Sequence, residues 1–426
     1  MSDSSSIQSE SGNGLRLAQL VKSLGPGIMM ATAAVGGSHL VASTKAGAIY
    51  GWQLALFILV VNLLKYPFFR AGVQYTMGTG NSLVQGYDAM GRGYLWVFTG
   101  LSLISGIVNT AALLLFSASL LGYFLPVTLS LPVLSGVVVT ACLAILFAGH
   151  YKALDGLSKT IMAVLVVATV SAVVIAAASG GATPAPGFEA PSAWSIASIG
   201  FIVVMMGWMP APIEISCLTS LWLKSQRKQQ NVTPQSALFD FNVGYIGTAI
   251  LAVIFLALGA LVLHGTGTEL KSSGIGFSHQ LVSMYASTIG EWSRYLIAVV
   301  AFFCIFGSTI TVIDGYSRAM AEAQALLQKK ELGQRKHHHF WMLVTGLSAM
   351  AIILFFSSAL MPLLNFAMIL AFMTTPVFAL LNYQLVAKTE LPKVLQWSRG
   401  MTVLSWVGLT YLFGFLAVFI WWKWIM

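Results

Sequence analysis

Charge is what this sequence has least of. Only 8% of its 426 residues are Asp, Glu, Lys or Arg, while 57% are hydrophobic; a soluble domain carries about 25% charged residues. So few charges cannot cover a chain of this size with a water-facing surface, so its solvent is mostly lipid. Cysteine is scarce too. Cys142, Cys217 and Cys304 lie inside apolar runs at no metal-binding spacing and read as small buried residues. No Gly-rich loop of the Walker type is present, which sets ATP hydrolysis aside. No Ser/His/Asp or paired-carboxylate constellation points to an enzyme. The apolar runs are continuous rather than alternating, which excludes an outer-membrane β-barrel. The first 23 residues are polar and Ser-rich with no apolar core, and read as a disordered cytosolic tail rather than a signal peptide.

What is present is a series of long apolar runs of the length a helix needs to cross about 30 Å of hydrocarbon. About eleven spans are expected, over roughly 26–50, 52–72, 95–122, 131–149, 160–179, 197–222, 237–264, 294–320, 340–357, 360–386 and 400–422. With the N-terminus in the cytoplasm, 17 of the 22 basic residues fall in cytosolic segments: Arg16, Lys22, Arg70, Arg92, Lys152, Lys159, Lys224, Arg227, Lys228, Arg318, Lys329, Lys330, Arg335, Lys336, Lys388, Lys393 and Arg399. That is the positive-inside bias, and it accounts for the net charge of +9 without nucleic acid. The expected setting is the inner (plasma) membrane, with the lipid bilayer as the main partner and the chain a monomer.

Two spans are interrupted. The first carries Gly36-Gly37-Ser38-His39 at mid-depth, and each glycine costs about 1 kcal/mol relative to alanine inside a helix. The sixth carries Gly207-Trp208-Met209-Pro210-Ala211-Pro212, where each proline removes a helical donor and crowds the preceding turn. Broken helices leave backbone groups unpaired, which the bilayer tolerates only beside protein, water or a bound substrate. Two breaks five spans apart predict two inverted repeats, over about 24–180 and 195–388, with an extra helix at about 400–422 and cargo bound between the breaks. Residues 24–426 then form one transmembrane domain.

These segments resemble the Nramp family of divalent-metal transporters, whose fold is of the LeuT type. Gly25-Pro26-Gly27 is followed after eight residues by Gly36-Gly37-Ser38-His39, then by Ala46-Gly47-Ala48-Ile49-Tyr50-Gly51. Met209-Pro210-Ala211 is similar to the family's Met-Pro-His, and Gly307-Ser308-Thr309-Ile310-Thr311 to its Ser-Ser-Thr-Ile-Thr. The resemblance implies that Gly36, His39, Met209 and the carbonyl of Met206 surround the ion. It also implies substitutions at the working positions: Gly36 for the family's Asp, His39 for its Asn, Ala211 and Ser216 for histidines, Asn109 and Ala112 for an acidic pair that moves protons. Met368 falls near the family's glutamine, with Asn365 one turn earlier. His39 with Met209 would suit a soft ion such as Mn²⁺ or Fe²⁺, and the lost carboxylate a weakly held or hydrated ion such as Mg²⁺.

Several other polar residues lie in apolar surroundings. Glu214 follows Pro212 and is a candidate to replace the missing carboxylate, bind a coupling ion or carry a proton, or else to cap a half-helix. Thr311 and Asp314 share a face of the eighth span, with Arg318 placed to pair with Asp314. Asp240 and Asn242 open the seventh span as gating or capping residues, and Lys45 and Lys65 either snorkel or pair with acids. His337-His338-His339 reads as a solvated or lipid-facing loop. The expectation is a secondary transporter, not an enzyme, that moves a divalent cation into the cytoplasm by alternating access, without a cofactor and with protons as an optional coupling ion. Two alternatives stay open: the same fold carrying a small organic solute such as an amino acid, and a non-transporting sensor or subunit.

Overall fold

The computed structural model describes residues 24–126, 129–149, 151–268, 271, 273–329, 334–356 and 359–425; the tail expected over 1–23 lies outside them. The described residues are almost wholly helical and include no strand. The first interrupted span is α1 (Pro26–Ala34), a π-helical stretch (Ser38–Ser43) and α2 (Thr44–Tyr50). There follow α3 (Ala55–Thr79), α4 (Leu83–Met90), α5 (Arg92–Gly122), α6 (Leu131–Phe147) and α7 (Tyr151–Ala178). The second interrupted span is α8 (Ile199–Gly207) and α9 (Ile215–Arg227). The chain continues with α10 (Pro234–Val262), α11 (Gly274–Ile289), α12 (Arg294–Gln328), α13 (Gln334–Phe356), α14 (Leu360–Lys388) and α15 (Arg399–Trp424).

Seven of these segments are long and apolar enough to cross a membrane, and Leu131–Phe147, Met162–Ala178 and Ile196–Gly207 are apolar but shorter. The expected eleven spans counted these shorter helices and both interrupted segments as crossings. Two helices were expected as loop. α4 is set by a capping box in which Ser82 Oγ accepts from Gln85 N–H and the Gln85 side chain accepts from Ser82 N–H. α11 forms between the seventh and eighth expected spans, where no helix was expected. The three consecutive histidines, expected in a loop, lie on α13, where His338 Nε2 approaches the Asp314 carboxylate at 3.4 Å.

Helices meet closely where glycine removes the side chain. A Cβ on Gly47 would fall 1.9 Å from the carbonyl of Leu256, and one on Gly259 would fall 2.0 Å from that of Thr44. Gly27 and Gly244 face each other in the same way. This seam locks α1 and α2 against α10 by backbone contact, the small-residue packing that substitutes for a hydrophobic drive inside lipid. At the entry to α1, the Asp240 carboxylate accepts the N–H groups of Gly25 at 2.9 Å and Gly27 at 2.7 Å. The acid read as opening its own span therefore caps a different helix. One buried core runs through α3, α5, α9, α12 and α14, and a second joins α2, α8 and the far face of α3.

Candidate functional site

Both interruptions fall where glycine and proline place them. α1 ends at Ala34, with the Gly36 N–H turned back to the Ala34 carbonyl at 3.0 Å. Ser38 Oγ then donates to the Ala34 carbonyl, which keeps that carbonyl from the regular ladder. α8 stops at Gly207, and residues 208–214 run without regular structure through a cis Met209–Pro210 peptide before α9 begins. The two breaks touch: a Cβ on Gly37 would lie 2.6 Å from the Trp208 ring. Gly207 is pressed against α14, since a Cβ there would lie 1.8 Å from the Met368 carbonyl.

Between the breaks lies a small, partly open cavity of about 20 Å³, room for a water-sized guest. Gly37, Ser38, Asn109, Trp208, Ala211 and Tyr316 line it, with apolar side chains from α1, α5, α9 and α12 completing the wall. A chain of hydrogen bonds runs along one side. Trp208 Nε1 donates to Asn109 Oδ1 at 3.2 Å, Asn109 Nδ2 donates to the Tyr316 hydroxyl at 3.0 Å, and that hydroxyl donates to Glu214 Oε1 at 3.0 Å. Glu214 is 2% exposed, and its Oε2 has no hydrogen-bond partner among the described residues. The Ser105 hydroxyl is the polar group that neighbours this carboxyl. The carbonyls of Trp208, Met209, Pro210 and Ala211, and the N–H groups of Ala211 and Ile213, also have no partner among the described residues.

The other expected site residues are placed differently. His39 is fully buried and does not line the cavity. Its Nε2 lies 2.9 Å from the Thr248 carbonyl and its Nδ1 lies 2.7 Å from Ser38 Oγ. Nδ1 is closed off by Ser38 Oγ and by the Ala34 carbonyl 3.2 Å away, so both ring nitrogens face protein groups and neither faces the cavity. Met206 and Met209 belong to the second core, on the far side of the break from the cavity lining. Thr311 donates to the Gly307 carbonyl, one turn back along its own helix. Asp314 is held by Arg318 Nε at 2.7 Å and Trp222 Nε1 at 3.2 Å, outside the cavity. Asn365 is half-buried on α14, and Met368 meets the break through its backbone. The structure thus brings together Gly37, Ser38, Asn109, Pro210, Pro212 and Glu214, and adds Trp208 and Tyr316. Tyr316 gave no separate signal in the sequence beyond its place on the same span as Thr311 and Asp314.

The natural resistance-associated macrophage protein-like (Nramp) family matches residues 27–422 of this chain. The chain belongs to the Nramp family. An uncharacterized protein of Pasteurella multocida (strain Pm70) is 50% identical over 402 residues, covering 93% of this chain and 91% of that one. Among solved structures, the Eremococcus coleocola manganese transporter in complex with an aromatic bis-isothiourea compound superposes with a TM-score of 0.70 at 14% identity, over 95% of this chain and 87% of its own. MhsT in complex with L-phenylalanine superposes with a TM-score of 0.64 at 13% identity, over 92% and 97%. At such identities these likenesses establish the fold, a LeuT-type helical membrane architecture. They do not choose a cargo, since the same fold appears in a metal transporter and in a protein with an amino acid bound. The chain is therefore a multi-pass membrane protein of a transporter family.

Proposed function

We propose that the chain is a secondary transporter that works by alternating access and carries a divalent cation, still partly hydrated, through the cavity between the two breaks. The run of carbonyls without donors from Trp208 to Ala211 carries this reading. Inside a bilayer such backbone is tolerated only where it faces a cavity. Trp208, Pro210 and Ala211 line the cavity, and their carbonyls with Ser38, Asn109 and Tyr316, and with Glu214 one hydrogen bond behind Tyr316, make a donor set of oxygen alone. Oxygen donors with retained water suit a hard ion such as Mg²⁺; the nitrogen of His39 and the sulfur of Met209, which would suit a softer ion, are turned elsewhere. Family membership supports a divalent cation as the class of cargo. Inward movement needs no second ion: a dication crossing the potential gains about 4.6 kcal/mol per 100 mV, from about 2.3 per charge. The placement of the basic residues supports an inner-membrane setting with the N-terminus in the cytoplasm, and an inside-negative potential favours import of a dication. Glu214 is the residue through which a proton would enter the cycle.

A second reading, a small organic solute with a carboxylate, is favoured by two observations. The cavity wall is largely apolar and aromatic, as solute pockets are, and the N–H groups of Ala211 and Ile213 lie free at the approach to α9. Ala211→Cys separates the two, because the native cysteines are all buried. Its modification by a membrane-impermeant thiol reagent should be slowed by Mg²⁺. Protection by amino acids and not by Mg²⁺ would replace the first reading with the second, and no modification from either side would refute transport through this cavity.

A further inference from the structure

Lys65 is a charge that the proposed cycle does not use. It is the eleventh residue of α3, about 15 Å from the start of that helix at about 1.5 Å per residue. Its stem is far too short to carry the ammonium to the interface. It is 0% exposed, and its Nζ donates to the Met206 carbonyl at 2.6 Å. Met206 is the residue before the last in α8. Its carbonyl stands at the C-terminal end of a half-helix, where the backbone dipole is negative and a cation is favoured; it accepts the Trp208 N–H and, at 3.4 Å, the Met209 N–H as well. The Lys65 bond is of the short, charge-assisted kind. Of the two expectations, a snorkelling lysine or one paired with an acid, neither describes this contact: the ammonium is held within the span on backbone oxygen.

We propose that Lys65 sets cation selectivity at the breaks: its ammonium occupies the carbonyl end of α8 as a tethered cation and keeps a dehydrated metal ion from that position. The inference deepens the proposed function and rests on the cavity described there. A dication stripped of water and placed on the Met206 carbonyl would lie within a few ångströms of a fixed positive charge in a medium that screens poorly. Only an ion shielded by its own water, seated toward Asn109 and Glu214, avoids that repulsion.

The test uses the full chain in lipid nanodiscs and Mn²⁺ alone as the probe, with bound ion read from the loss of the free-ion paramagnetic resonance signal. Native protein and Lys65→Arg, which keeps the charge, should bind Mn²⁺ weakly. Lys65→Met, which fills the space without charge, and Lys65→Gln, which keeps a donor to the carbonyl without charge, should bind it at least about tenfold more tightly. Tight stoichiometric binding by the native chain would overturn the proposal without any variant. So would two folded neutral variants that bind no better than the native chain. If neither neutral variant folds alone, rescue by Mn²⁺ during purification supports the proposal, and failure of rescue counts against it. An uptake assay that fails to show transport would sink the proposed function and leave this binding comparison standing.

Discussion

Replacing His39 with alanine separates a packing role from a ligand role. The ring lies edge-on to Phe255 with centroids 6.1 Å apart, and both of its nitrogens face protein partners. Truncating a buried side chain of this size costs about 2–5 kcal/mol, and the lost hydrogen bond to the Thr248 carbonyl, which keeps its place in the helical ladder of α10, adds about 1 kcal/mol more. His39→Ala should therefore destabilise the fold by roughly 3–6 kcal/mol by these two contributions. The fall is read from the thermal midpoint in detergent by tryptophan fluorescence. His39→Gln, which keeps a donor toward Thr248, should recover part of it. For variant protein that stays folded at lower temperature, the KM for cargo should remain near the native value. The reasoning fails if His39→Ala keeps the native midpoint while KM rises tenfold or more, because the imidazole would then be bonded to cargo and not to α10.

Asp240→Ala should destabilise the entry of α1 by about 2–3 kcal/mol, since charge-assisted bonds to Gly25 and Gly27 are lost; Asp240→Asn should retain part of this in the same unfolding assay. Gly207→Ala should fail to yield folded protein, because its Cβ would overlap the Met368 carbonyl, whereas Gly247→Ala, with nothing within 4 Å, should raise the midpoint slightly. On the loop before α12, hydrogen bonds from Arg294 hold the Glu291 carboxyl below its ordinary range. Its contribution to stability is present above that ordinary range and is lost as pH falls through the depressed value. Glu291 is fully exposed, so Glu291→Gln should leave the pH dependence of the midpoint unchanged at high salt.

Much of the fold was legible because its signals are local. Long apolar runs specify helices, Gly36-Gly37 and Pro210-Pro212 interrupt two of them, Glu214 stood out as an intramembrane acid, and the family resemblance pointed to Asn109. The orientation of His39 was not legible, because its partner Thr248 is 209 residues away. Lys65 stood out as a charge within a span, but its acceptor lies 141 residues later on another helix. The resemblance implied Met209 and the Met206 carbonyl around the ion, but position along one helix does not say which side faces the cavity. The Gly27, Gly47, Gly244 and Gly259 seam is a property of two helices together, and neither segment shows it alone.

Uptake into proteoliposomes that hold a divalent-sensitive dye, under an inside-negative potential, tests the central claim most directly. The native chain should admit Mg²⁺, and both Glu214→Gln and Asn109→Ala should lower the initial rate by about tenfold, a loss of about 1.4 kcal/mol of transition-state stabilisation, without changing the amount of inserted protein. No Mg²⁺ or Mn²⁺ entry through native protein that is folded and correctly inserted would contradict the account and leave an organic solute as the cargo of this cavity.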